Sequence, residues 1–146
     1  MKILSDWKTL LKKFSMHKTF LWLGALSGGI AVALGAFGAH GLKKIVSPDA
    51  LTIFQTGVQY QMYHTLALLV VAIVYDRLPN KLIISAGYLF SFGIVFFSGS
   101  LYIIIALKAG EWAVPGLVGA ITPVGGLIFT GGWLCVLAGI LKKNSS

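Results

Sequence analysis

The stretch from Gly24 to Gly41 reads GALSGGIAVALGAFGAHG. It is too apolar for the surface of a soluble helix and too rich in small residues to pack by side-chain bulk. Trp22 stands just before it, and Lys43 and Lys44 follow it. The apolar run from Thr19 to Ala39, at about 1.5 Å per residue, covers the hydrocarbon core of a bilayer. We therefore read a first membrane span, with Trp22 as an interfacial anchor and Gly41 as a C-cap. Ser27, Ala31, Gly35 and Ala39 recur every fourth residue, and Gly24 and Gly28 form a second small pair. That spacing predicts a stripe on which another helix can approach closely. A signal peptide would have a shorter apolar run and a less structured basic start.

The remainder of the 146-residue chain agrees with this reading. Hydrophobic residues make up 57% and charged residues 11%, against about 25% charged in a soluble domain. The mean hydropathy is +0.87. A membrane barrel needs period-two alternation, which is absent, so the spans are helices. A second helix is predicted from Pro48 to Tyr75, with Ser47 as N-cap, Pro48 in the first position and Asp49 at the positive end of the dipole. It is longer than a bilayer needs, so it tilts or begins outside the core. The third span is predicted over Leu82 to Leu107 and the fourth over Pro115 to Leu141. In the fourth, Pro123 lacks a backbone donor and should kink or locally open the helix.

Residues 2–18, KILSDWKTLLKKFSMHK, set Ile3, Leu4, Trp7, Leu10, Leu11 and Phe14 against Lys8, Lys12 and Lys13. This pattern suits an amphipathic helix lying in the headgroup region. The expected organisation is a basic arm (1–18), a four-span membrane domain (19–141) and a polar tail (142–146). The fold class is thus an all-α membrane protein, a four-transmembrane-helix bundle with an N-terminal amphipathic interfacial helix.

The net charge of +8 is spread along the arm and beside the spans, which favours anionic lipid and topology over nucleic acid. Nine of the twelve lysines and arginines fall on the side of the two termini, and Lys43, Lys44 and Lys108 fall on the other. The positive-inside rule then places both termini in the cytoplasm. Cys135 is the single cysteine. It lies in an apolar run and is expected to pack.

Function has to be read from the few polar residues inside the spans. His64 precedes Asp76 by twelve residues, so it lies roughly 18 Å from the terminal side. Ser98 and Ser100 lie roughly 25 Å up, and Thr122 and Pro123 within about two turns of the far end. His40 closes the first span. These motifs share the outer half of the bundle, where intramembrane polar groups are expected to face a bundle interior or a cavity. On the second helix, Gln55, Gln59 and Tyr63 form one stripe, and Gly57, Gln61 and His64 form the next.

The motifs LGAFGAHGL (34–42), QTGVQYQMYHTLAL (55–68), FSGSLY (97–102) and ITPVGG (121–126) resemble the YgdD/YwdK family of small four-span membrane proteins. The resemblance covers about residues 20–141. It implies a four-helix protein of the bacterial plasma membrane, and it leaves the activity to the residues themselves.

The reading those residues favour is a non-enzymatic one. A polar outer-leaflet pocket of His40, Gln55, Gln59, Gln61, His64, Ser98, Ser100 and Thr122 would bind a lipid or another membrane component, with His64 making the binding sensitive to pH. Packing by glutamines bonded across helices accounts for the same residues without a ligand. Membrane lipids, a second copy or another membrane protein are the expected partners. A small transporter or channel is the alternative, although no Asp or Glu lies within the apolar runs. A membrane-embedded hydrolase, with Ser98 or Ser100 beside His64, ranks last. No cofactor is expected: two histidines with Asp49 make a thin ligand set for a metal, and His40 is too superficial to face His64 across a haem.

Overall fold

The computed structural model describes residues 17–142. The amphipathic helix expected over residues 2–18 therefore lies outside the described residues, apart from His17 and Lys18. Helix α1 spans Lys18–His40, α2 Pro48–Arg77, α3 Lys81–Gly93, α4 Gly99–Ala109 and α5 Gly116–Leu141. A π-helical segment, Ile94–Ser98, joins α3 to α4, so that the three pieces form one continuous third span. The described residues contain four helices long and apolar enough to cross a membrane.

Local signals explain the boundaries. Ser47 Oγ accepts from the Ala50 N–H at 3.3 Å, and Pro48 occupies the first turn of α2. Asn80 opens α3 by accepting from the N–H groups of Leu82 and Ile83, and its amide donates to Gly139 O at 3.2 Å on α5. Gly41 caps α1 but keeps a right-handed backbone (φ −89°), and the chain runs on into a 3-10 turn at Leu42–Lys44. Pro123 does not break α5, which runs unbroken from Gly116 to Leu141. The hydrogen bond lost is the one to the Gly119 carbonyl, one turn earlier.

Helix α1 packs on α2 through Gly24, Gly28, Ala31, Gly35 and Gly38. The intervals alternate between four and three residues, the 3.5 period of a left-handed pair, so Gly38 takes the place the four-residue stripe gave to Ala39. Ala39 faces outward. The third span meets α5 differently. Rings enter sockets that only glycine leaves open: Phe129 over Gly93, Phe90 over Gly132, and the Phe97 backbone against Gly125. Phe20 of α1 fills a like socket at Gly87.

Two apolar clusters result. One gathers Phe20, Leu68, Val71, Ile83, Phe90 and Phe129 toward the terminal end, with part-buried Cys135 packed against it. The other, Leu42, Ala50, Phe54 and Ile105, closes the loop end. The buried polar side chains Gln61, His64, Thr65, Ser98 and Ser100 occupy the layer between the two clusters.

Candidate functional site

The polar layer divides into three hydrogen-bonded groups on different sides of α2 and the third span. In the first, Gln61 Nε2 donates to Ser27 O at 2.9 Å, Thr65 Oγ1 donates to Ser27 Oγ at 2.7 Å, and Tyr102 donates to Gln61 Oε1 at 2.8 Å. One glutamine thereby ties α1, α2 and α4 together, with its donor and acceptor ends both used.

The second group centres on His64. Its Nδ1 lies 2.8 Å from Tyr60 O, and Trp133 Nε1 donates to its Nε2 at 3.3 Å. An indole N–H can only donate, so Nε2 accepts and Nδ1 carries the proton that goes to Tyr60 O. The ring is neutral in this arrangement, and it stacks on Phe129 with centroids 3.4 Å apart and planes 8° apart. Tyr60 stacks on Phe97 at 4.5 Å. These rings floor an open groove of about 630 Å³ between α2, the π segment and α5, lined also by Pro123, Gly126, Leu127 and Thr130.

The third group is a pair. Ser100 Oγ and Thr122 Oγ1 lie 2.7 Å apart across α4 and α5, and Ser100 also donates to Phe97 O at 2.8 Å.

The eight residues singled out from the sequence are therefore not gathered in one cavity. Gln61, His64, Ser98 and Ser100 are buried and Thr122 is half-buried, while His40, Gln55 and Gln59 are exposed. Only His64 of the eight lines the groove between α2 and α5. Gln55 and Gln59 line a separate notch of about 350 Å³ with Gly35, Gly38, Phe54 and Val58. Ser98 Oγ is fully buried and has no hydrogen-bond partner. It does not bond His64, both of whose nitrogens are engaged elsewhere, so the nucleophile–base contact of acyl transfer is not formed. Among the described residues, no three His, Cys, Asp or Glu side chains come together in a metal-holding group.

Sequence reasoning missed Ser27 as a polar group, Thr65, Tyr102, Trp133 and Tyr60. The signal was present for two of them. Tyr102 and Trp133 are amphipathic residues placed within spans, where an O–H or N–H needs a partner.

The chain matches the family described as Protein of unknown function (DUF423) over residues 34–126. It is 44% identical over 126 residues to the UPF0382 membrane protein YwdK of Bacillus subtilis, covering 86% of this chain and 98% of that one. It is 43% identical over 130 residues to a UPF0382 membrane protein of Haemophilus influenzae, covering 89% and 99%. Against the UPF0382 inner membrane protein YgdD of Escherichia coli, identity is 39% over 122 residues, covering 84% and 88%. No solved structure matches the chain.

Proposed function

The chain belongs to the DUF423 family, with relatives named membrane proteins, and from that premise we propose that it binds a membrane lipid, without chemistry, in the groove between α2 and α5. The groove itself carries the reading. Its volume of about 630 Å³ falls within the usual range of about 300–1,000 Å³ for small-molecule sites. Its floor is aromatic, its flank is open, and the Tyr60 hydroxyl would donate to a headgroup or ester, while Thr130 and the His64–Trp133 pair, whose protons are already bonded within the protein, hold the floor in shape. The protein sits in the bacterial plasma membrane with both termini in the cytoplasm. The relative named an inner membrane protein supports that location, and the excess of lysine and arginine on the terminal side supports that orientation.

The test is lipid retention. Protein purified in mild detergent should carry one lipid species at near one per chain by mass spectrometry. Gly126→Trp fills the groove from a position where an added Cβ meets only the Phe97 ring, at 3.9 Å, and should lose that lipid while staying folded. Gly29→Trp, at a position with nothing within 4 Å, should keep it. Equal retention by both variants, or no retained lipid in the parent, overturns the reading.

A further inference from the structure

Gln55 and Gln59 lie one turn apart on the side of α2 next to α1, and both are exposed. Neither amide has a hydrogen-bond partner among the described residues, whereas the neighbouring hydroxyls are satisfied within the helix: Thr52 donates to Pro48 O and Thr56 to Thr52 O, each at 3.0 Å. The register between the two helices fixes their depth. Gly38 faces Phe54, Gly35 faces Val58 and Gly28 faces Thr65. Gln59 is therefore level with α1 near Leu34, six residues inside His40, or about 9 Å below that end of the span. An amide there, facing hydrocarbon, has neither donor nor acceptor to meet it, which is costly.

We infer that this face is the contact between two copies of the chain, related by a two-fold axis along the membrane normal. A carboxamide has two N–H donors and an acceptor oxygen. Around such an axis each glutamine meets its own counterpart and satisfies it in both directions. An acyl chain offers neither function, and a phosphate cannot donate. The notch beside the glutamines is lined by Gly35, Gly38, Phe54 and Val58, and the two glycines put no side chain into it from α1. The inference is independent of the lipid groove, which lies on the α5 side of α2.

The experiment uses the full chain in native membranes and in lipid nanodiscs. Thr52→Cys, in a Cys135→Ser background, should form a disulfide-linked dimer on mild oxidation, and Leu117→Cys on α5 should not. Gln55→Leu with Gln59→Leu remains compatible with a folded, lipid-facing helix and should weaken dimerisation about tenfold or more, read by native mass spectrometry or energy transfer on dilution with lipid. Gly126→Trp should leave the dimer intact, which separates this test from the lipid one. A parent that stays monomeric at every lipid dilution, or a double variant that dimerises as tightly as the parent, overturns the inference. So does a double variant whose only change is loss of a bound lipid, which would assign the face to a headgroup.

Discussion

The contact of α1 with α2 and that of the third span with α5 solve one problem in two ways. Helices in lipid gain little from burying apolar surface against each other, so packing and hydrogen bonds have to hold them together. The third span and α5 use shape: Phe129 and Phe90 seat on Gly93 and Gly132 from opposite sides, and dispersion does most of the holding. Helices α1 and α2 are matched by small residues and then clamped at one level, where Gln61 and Thr65 bond Ser27. The contact of the third span with α5 tolerates no added volume, and that of α1 with α2 tolerates no lost partner.

Three substitutions test that difference, the largest effect first. Gly132→Leu drives a side chain into the Phe90 ring and should destabilise the fold by about 3 kcal/mol, read as a loss of folded protein in a detergent melt. A drop of only a few tenths would show the sockets to be loose. Gln61→Leu keeps the volume but removes the clamp and leaves the Tyr102 hydroxyl unpaired, and should cost about 1–2 kcal/mol. Adding Tyr102→Phe should then cost less than it does in the parent, because its partner is already gone; strict additivity would deny the Gln61–Tyr102 coupling. Gly29→Ala, on the outward face of α1, should be neutral or stabilise by at most about 1 kcal/mol. A clear loss of stability there would mean that this face is covered.

Much of this was legible in the sequence. The four spans follow from apolar run length, the start of α2 from Ser47-Pro48-Asp49, and the two stripes on α2 from spacing: Gly57, Gln61 and His64 are buried, while Gln55, Gln59 and Tyr63 are exposed. Depth was legible too, since residues at matched heights such as Ser100 and Thr122 do bond. Direction was not. Height along the axis is fixed by counting residues, but which neighbour a side chain faces depends on how each helix is rotated, and tertiary packing sets that. This is why Gln61 and His64, three residues apart, serve different groups. The π segment was hidden for a related reason. Nothing in IVFFS (94–98) demands an extra residue per turn, and the segment lies where Gly125 presses on the Phe97 backbone. Trp133 escaped notice because its role depends on His64, 69 positions away.

The pairing of helices also bears on how the chain assembles. The two contacts compared above join helices that are neighbours in sequence, α1 with α2 through residues 41–47 and the third span with α5 through residues 110–115, whereas Phe20 at Gly87 joins α1 to the third span. Closing such short connections costs little loop entropy, and such local contacts form early. These short connections mark out two helical hairpins, which the packing of α2 on the third span and the seat of Phe20 at Gly87 join into one bundle. The polar layer forms its long-range bonds, Tyr102 to Gln61 and Trp133 to His64, when the second hairpin docks on the first. Gln61 with Tyr102, and His64 with Trp133, are thus the bonds that set the register of one hairpin against the other.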